Sequence, residues 1–499
     1  MAVVVAIDAG TTGVRSMALS ESGLPVGMAY REFTQHFPRP GWVEHDATEI
    51  WEAVRATLTE LLHELDQPIA AIGITDQRET VVAWDRRTGE PRHRAIVWQD
   101  RRTAARCDEL AEAGHLPLVR ETTGLVLDPY FSGTKLEWLL RPSDQGGGGV
   151  EADEHLAVGT IDTWLLWQLT GGQVHATEPS NASRTMLFDI GALAWSEELC
   201  DLLGVPLACL PEVRPSSGRF GTTAVGVGVP AGIPISGVAG DQQAALFGQA
   251  CFEPGMTKNT YGTGSFVLMN VGQECPEPVE GLLTTVAWSL GSVDAASTSY
   301  ALEGAIFVTG AAVQWLRDGL EIIEEAAETG PLAESVPDTG GVVLVPAFTG
   351  LGSPWWDPYA RGAIVGITRG TTRAHLARAT VESMVFQTRD VVDAMSAASG
   401  REVLAMRVDG GASVMPLLLQ LQADQLQVPV SRPTVQDTTA LGAAYLAGLA
   451  EGVWSSPDEV RENWVLDVEV HPEASRDEVD AAHATWLRAV ERARGWASE

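Results

Sequence analysis

Lysine is almost missing from this 499-residue chain: Lys135 and Lys258 stand against 31 arginines. The 33 basic residues face 66 acidic ones, a net charge of -33 at neutral pH. Like charges repel, so a phosphate backbone and an anionic bilayer are both poor partners, which argues against nucleic-acid binding and membrane attachment. Cysteine is scarce as well. Cys107, Cys200, Cys209, Cys251 and Cys275 are odd in number and far apart, with none of the CxxC spacing of a zinc or redox centre. A chain this long needs no disulfide staples. Its ten histidines show no metal-ligand spacing, which argues against a structural or hydrolytic zinc.

Long apolar runs are also absent, none approaching the ~20 residues that span a bilayer. Residues 1–7 lack a basic n-region and run into Asp8, so they read as a strand and not as a secretion leader. The expected setting is a reduced cytoplasm. There is no G-x-x-x-x-G-K-[ST] loop, no protein-kinase catalytic loop and no HExxH. The glycine-rich residues 226–232 follow no strand with an acid ~20 residues on, as a dinucleotide site requires. With 45% hydrophobic and 20% charged residues, the chain is globular and long enough for at least two domains.

Two segments share one local plan. Val3-Val-Val-Ala-Ile-Asp8, Ala9-Gly-Thr-Thr-Gly13 and Val14-Arg-Ser-Met-Ala-Leu19 read as strand, Gly-Thr turn and strand. Met256-Thr-Lys-Asn-Thr260, Tyr261-Gly-Thr-Gly264 and Ser265-Phe-Val-Leu-Met-Asn270 repeat the pattern half a chain later. The repetition predicts two domains of related design, residues 1–248 and 249–499. Strands at 69–74 and 81–84 alternate with an amphipathic helix over 48–65, whose apolar residues are Ile50, Trp51, Val54, Leu58, Leu61 and Leu62. Leu404-Ala-Met-Arg-Val408 leads into Asp409-Gly-Gly411 and a helix over 417–426. This alternation is α/β architecture. Residues 146–149, four glycines, read as a mobile surface loop, and residues 475–494 as an amphipathic closing helix.

Gly10-Thr11-Thr12-Gly13 offers backbone N–H groups and two hydroxyls, with Arg15 just beyond; small residues let the backbone approach phosphates closely. One such hairpin alone is an ordinary polar turn. Two in one chain, with Asp8 entering the first, point to a nucleoside triphosphate, and Asp8 is of the type that holds Mg²⁺ through water. Gly410-Gly411 at a strand-to-helix turn permits close approach of a base or sugar, or is simply a turn. Arg78 beside Glu79 reads either as a solvated ion pair or as the donor and acceptor that a polyol's hydroxyls need. Asp241 is either an N-cap or a general base at the domain junction. The stretches around Trp98 and Tyr130 suit a small pocket or plain packing.

Taken together these segments resemble the FGGY carbohydrate kinases, and within that family the members acting on glycerol, from about residue 3 to about residue 455. The resemblance rests on Pro40-Gly-Trp-Val-Glu-His-Asp46, Gly73-Ile-Thr-Asp-Gln-Arg-Glu-Thr80, Ala95-Ile-Val-Trp-Gln99, Asn181-Ala-Ser-Arg-Thr-Met-Leu187 and Ser236-Gly-Val-Ala-Gly-Asp-Gln-Gln243. Asn259-Thr-Tyr-Gly-Thr-Gly264, Pro346-Ala-Phe-Thr-Gly-Leu-Gly-Ser-Pro354 and Gly362-Ala-Ile-Val-Gly-Ile367, with His375-Leu-Ala-Arg-Ala-Thr-Val-Glu382, extend it.

The resemblance implies an α/β fold of two ribonuclease-H-like domains, the actin and sugar-kinase ATPase plan, with a nucleotide- and substrate-binding cleft between them. It implies ATP- and Mg²⁺-dependent phosphorylation of glycerol to sn-glycerol 3-phosphate, in a dimer or tetramer. Carried onto matching positions, Arg78, Glu79, Tyr130, Asp241 and Gln242 hold the glycerol hydroxyls, Trp98 and Phe266 cover its carbons, and Asp241 is the general base. Thr11, Thr12, Gly13, Arg15, Thr263 and Gly310 take the terminal phosphates; Gln314 and Gly411 lie near the nucleoside; Asp8 supports Mg²⁺. Met415 stands where the family has asparagine, so either a nucleotide contact is lost there or adenine packs on the thioether. Gly232 replaces an arginine that serves regulation in some members. Two alternatives remain: a kinase of the same family acting on a tetritol, ketopentose or gluconate, and a non-catalytic ATP switch of the actin plan.

Overall fold

The computed structural model describes residues 2–497. Val3–Ala9 is apolar without alternation, the pattern of a strand covered on both faces. This strand, β1, turns at residues 10–12 into antiparallel β2 (Gly13–Leu19), which pairs with β3 (Pro25–Glu32). Helix α1 (Ala47–Glu64) buries Ile50, Trp51, Val54, Leu58 and Leu61, and Asp46 caps it by accepting from the Thr48 amide. It leads to β4 (Ile69–Asp76), parallel to β1. With β5 (Ser217–Thr222) and β6 (Pro234–Gly240) these make a six-stranded sheet in the order β5-β6-β4-β1-β2-β3.

Helix α2 (Asp241–Gly248) passes to the second half. There β7 (Thr257–Tyr261) and β8 (Ser265–Gly272) form the second hairpin. β9 (Leu283–Ser289), β10 (Thr298–Ile306), β11 (Met406–Gly410), β12 (Val430–Pro433) and β13 (Leu466–Val470) complete a seven-stranded sheet, order β9-β10-β8-β7-β11-β12-β13. Read from β13 to β10, it repeats the first sheet strand for strand and direction for direction. The helices of this half are α3 (Arg373–Ser399), α4 (Pro416–Leu426), α5 (Thr438–Ala450) and α6 (Arg476–Ala493). The two-domain α/β expectation thus holds, duplication included.

Register shows how the copies diverge. Asp8 on β1 pairs with Arg15 and Thr75; the matching β7 residue, Thr260, pairs with Phe266 and Asp409. The two sheets are locked by exchange: α5 follows β12, yet Ala443, Ala444 and Ala447 pack with Val4, Ala6, Ala71 and Ala239 of the first sheet. α5 crosses α2 so tightly that a Cβ on Gly442 would lie 1.8 Å from the Ala244 carbonyl oxygen.

The four glycines at 146–149 differ from the mobile loop expected of them. The amides of Gly147, Gly148 and Gly149 donate to the carbonyls of Pro142, Trp138 and Arg141, closing the end of the helix Ser132–Leu140. A side chain at Gly147 would strike the Arg141 carbonyl at 2.2 Å, so glycine here serves close packing. Residues 476–493 form α6 with a Ser475–Glu478 capping box, as the amphipathic pattern predicts. Among the described residues, no helix is long and apolar enough to cross a membrane. All five cysteines carry free thiols, four of them buried.

Candidate active site

The first hairpin tip is held from behind. The carbonyls of Gly10, Thr11 and Thr12 accept from Gln77 Nε2 (2.9 Å), Gln35 Nε2 (2.8 Å) and the Phe33 amide (3.4 Å). Each peptide N–H points opposite its C=O, so the amides of Thr11, Thr12 and Gly13 turn away from these partners, as in an anion-binding nest. A Cβ on Gly13 would stand 2.7 Å from the Arg31 carbonyl oxygen, a backbone atom that cannot move aside, so only glycine fits. Arg15 is ion-paired with Asp437 and lies 5.9 Å from the centre of the Tyr30 ring. Asp8 Oδ2 accepts from Thr439 Oγ1 at 2.8 Å. Burial pushes the Asp8 pKa up, against the Thr439 bond and the Arg15 charge. Asp437 and Thr439 flank the start of α5, so the second half of the chain grips the first hairpin.

The residues assigned to the polyol come together beside this hairpin. Trp98 Nε1 donates to Thr11 Oγ1 at 3.0 Å, tying the two groups directly. Trp98 and Tyr130 meet edge to face at 5.6 Å, and the Arg78 guanidinium sits 5.7 Å from the centre of the Phe266 ring. Arg78 and Glu79 are not a solvated pair: both side chains are almost wholly buried and 3.8 Å apart. Four of the five Arg78 donors are committed, two to Glu303 (2.5 and 3.0 Å), one to Gln243 Oε1 and one to the Tyr130 hydroxyl (3.2 Å each). Its Nε lies 3.2 Å from Asp241 Oδ1. Glu79 adopts φ +62°, a strained value for a non-glycine residue, and accepts from Arg184 Nε at 2.7 Å.

Asp241 is the first residue of α2, and Gly240 holds the N-cap position, so the capping reading of the aspartate fails. Its Oδ1 accepts from the Gln242 amide at 2.8 Å, and its side chain keeps 30% of its surface exposed. The surrounding protein pushes its pKa up and Asp8 adds to this, while Arg78 and Lys258 pull it down. A carboxylate whose pKa is raised in this way is more basic than usual, which suits accepting a proton from a hydroxyl.

At the second hairpin, the Gly310 amide donates to the Gly262 carbonyl (3.0 Å), and the Thr309 and Ala311 amides to the Thr263 carbonyl (2.9 and 3.0 Å). Gly310 and Thr263 are therefore adjacent, but the Gly310 N–H is already used; its glycine is needed because a Cβ would meet the Gly262 oxygen at 2.6 Å. Gln314 is exposed at the end of the short helix Gly310–Gln314. Tyr261 pairs with Gly410, which brings Gly411 beside this hairpin, exposed and with nothing within 4 Å of where a Cβ would stand. Met415 lies half-buried with its side chain against Gly330, whose Cβ would lie 3.6 Å from the sulfur.

Sequence reasoning missed several residues that hold the site. Arg184 bridges Glu79 and Glu303, with Nη2 2.9 Å from Glu303 Oε1. Burial pushes the Glu303 pKa up, but the Arg184 and Arg78 charges overcome it and hold the carboxyl at about 2. A single glutamate inside the apolar strand Tyr300-Ala-Leu-Glu-Gly-Ala-Ile306 was the available signal. Arg184 lies inside the Asn181–Leu187 motif but had no visible partner. Asp76, Asp162 and Glu178 are buried together: Asp76 takes the Asp162 amide (3.3 Å) and Asn181 Nδ2 (3.0 Å). Burial raises Asp162 to about 6 and Glu178 to about 7, against hydrogen bonds from Thr160, Thr177, Ser180 and Ser216.

Two grasping hairpins, one on each of two matched sheets, with a half-open aspartate and a buried polar set between them, define a two-domain phosphotransferase cleft. The model of the FGGY carbohydrate kinase N-terminal domain matches residues 3–248, and that of the C-terminal domain residues 257–451. Glycerol kinase 2 of Thermotoga maritima is 55% identical over 500 residues, covering 99% of each chain. Glycerol kinase of Dechloromonas aromatica is also 55% identical, over 99% of this chain and 98% of its own. Among solved structures, Plasmodium falciparum glycerol kinase with ADP superposes with a TM-score of 0.91 at 34% identity, over 99% and 98% of the chains. A xylulose kinase from Lactobacillus acidophilus shares the fold, TM-score 0.85 at 21% identity, over 99% and 97%. The chain belongs to the FGGY family of carbohydrate kinases.

Proposed function

We propose that this protein is a glycerol kinase, transferring the terminal phosphoryl group of ATP to glycerol and forming sn-glycerol 3-phosphate. The observation that carries the reading is Asp241, the half-open carboxylate of the buried Arg78, Glu79, Tyr130 and Glu303 cluster, which Trp98 links to the phosphate hairpin. The relatives at 55% identity carry the name glycerol kinase over their full lengths, which supports glycerol over larger acceptors.

Asp241 takes the proton as a glycerol oxygen attacks the terminal phosphorus and ADP leaves. The Thr11, Thr12 and Gly13 amides and Arg15 bind and neutralise the phosphates, the chief requirement of phosphoryl transfer. Arg15 must exchange part of its Asp437 pairing for phosphate. Gln242, with Arg78 Nε and Glu79, orients the polyol; Trp98 and Phe266 exclude water from its carbons. Thr263 and Gly310 line the phosphate side, with Gln314, Gly411 and Met415 toward the nucleoside. Asp8 has one oxygen held by Thr439, and no group of three His, Cys, Asp or Glu forms a cage among the described residues. That donor set suits magnesium, which prefers one or two carboxylates with phosphates and waters. Bound there through water, Mg²⁺ supplies charge neutralisation of the phosphates.

We place the domain boundary between residues 248 and 249, the assembly as a homodimer or homotetramer, and the protein in the cytoplasm. The test is ADP release with Mg²⁺ and ATP across glycerol, erythritol, threitol, dihydroxyacetone, xylulose and gluconate. A kcat/KM for glycerol at least about tenfold above every other acceptor is expected; preference for another acceptor, or no acceptor-stimulated turnover, refutes the reading.

A further inference from the structure

The chain uses lysine twice, and both copies are completely buried. Lys135 has an evident scaffolding role, since its Nζ donates to the carbonyls of Pro129, Tyr130 (2.8 Å) and Phe131 (3.0 Å) and so spends all three protons on one loop. Lys258 is different. It projects from β7 toward the junction of the two domains, and Nζ donates to Gln242 Oε1 (2.5 Å) and Thr260 Oγ1 (2.9 Å). An ammonium has three donors and no acceptor. The atom of Gln242 facing it must therefore be the oxygen, and the amide N–H₂ is turned the other way. Arginine could not replace this contact, because its planar fork has a different reach and angle.

The charges facing Lys258 are Asp409, Asp241 and Glu303, which favour its charged form, and Arg78, which opposes it. Asp241 in turn faces Lys258, Arg78 and Asp8, and is sensed by buried Asp76. We propose that Lys258 is a positioning residue for the acceptor hydroxyl: it orients Gln242 to present an N–H to the polyol, and it supplies a positive charge that keeps Asp241 an ionised base. The inference deepens the glycerol kinase reading and rests on it.

Wild type, Lys258→Met, Lys258→Arg, Gln242→Leu and the Lys258→Met/Gln242→Leu double variant are compared by kcat and KM for glycerol from acid to alkaline pH. ADP affinity serves as a fold check that does not involve the polyol. Lys258→Met is expected to raise KM about tenfold and to move the acid limb of kcat/KM upward by about one pH unit. Lys258→Arg should keep the acid limb of the wild type while KM stays raised, since the charge survives and the geometry does not. Adding Lys258→Met to Gln242→Leu should raise KM no further, because both remove one contact. A Lys258→Met enzyme with the wild-type acid limb and KM within twofold overturns the inference. If that variant does not fold, Lys258→Arg decides, and a wild-type KM there overturns it. A wild type that prefers another polyol refutes the acceptor assignment alone, and the variants are then read on that polyol.

Discussion

Glu303 accepts hydrogen bonds from both buried guanidiniums, Arg78 and Arg184. Replacing it by glutamine preserves its shape and removes the negative charge that faces Arg78 and Arg184, leaving Glu79 as their only fully buried counter-charge. Its pKa of about 2 against an ordinary 4.5 is a difference of roughly 2.5 pH units, equivalent to about 3 kcal/mol at neutral pH. Removing one partner of a buried pair costs about 3–5 kcal/mol in general, so the two figures agree. The sign follows from the depressed pKa: the stabilisation is complete above pH 4.5 and is lost as pH falls toward 2. Glu303→Gln should therefore lower Tm by roughly 5–10 °C at pH 7, measured by calorimetry without ligand. Glu303 also fixes the plane of Arg78 through two bonds, so KM for glycerol should rise at least about tenfold. A variant with Tm within about 1 °C and KM within about twofold of wild type would refute the idea that this ion cluster assembles the polyol site.

Asp241→Asn should lower kcat by about 10²–10⁴ while KM for glycerol changes little, since the amide keeps the shape and loses the basicity; steady-state kinetics with near-normal kcat would remove Asp241 from the base role. Gly442→Ala places a methyl 1.8 Å from the Ala244 carbonyl oxygen, and no flexible side chain can yield. Thermal unfolding should show a loss of about 3 kcal/mol or more, and unchanged Tm would mean α2 and α5 cross less tightly than described. Asp162 and Glu178, raised to about 6 and about 7, bind protons more tightly folded than unfolded. Their stabilisation is complete near pH 4 and is lost as pH rises through 6 to 7. Asp162→Asn should accordingly gain in Tm relative to wild type as pH rises from 4 to 6, by the equivalent of up to about 3 kcal/mol, and hold that gain above pH 6; a pH-independent difference contradicts the assignment.

Much of the molecule follows from local chemistry. Strands such as Val3–Ala9, the glycine-rich hairpins and the capped helices α1 and α6 are legible because apolar periodicity and turn residues act over a few neighbours. The motif residues of both hairpins, with Asp241, Arg78 and Glu79, were legible as candidates for the same reason. The identity of their partners was not. Arg78 meets Glu303, 225 residues away, Arg15 meets Asp437, 422 residues away, and Asp8 meets Thr439, 431 residues away. Such pairings depend on the exchange of α2 and α5 between two sheets, which no spacing in the chain encodes. Adjacency in sequence left a solvated Arg78–Glu79 pair open beside the polyol reading; the strained turn at Glu79 instead sends the two side chains to Glu303 and Arg184 in the buried centre. Order of residues along the chain was enough for the elements, the duplication and the candidate reactive groups, because those are local. Burial, and with it the pKa of Asp241, Glu303 and Lys258, comes from the folded molecule alone, since desolvation and long-range charge exist only once the two halves close on each other.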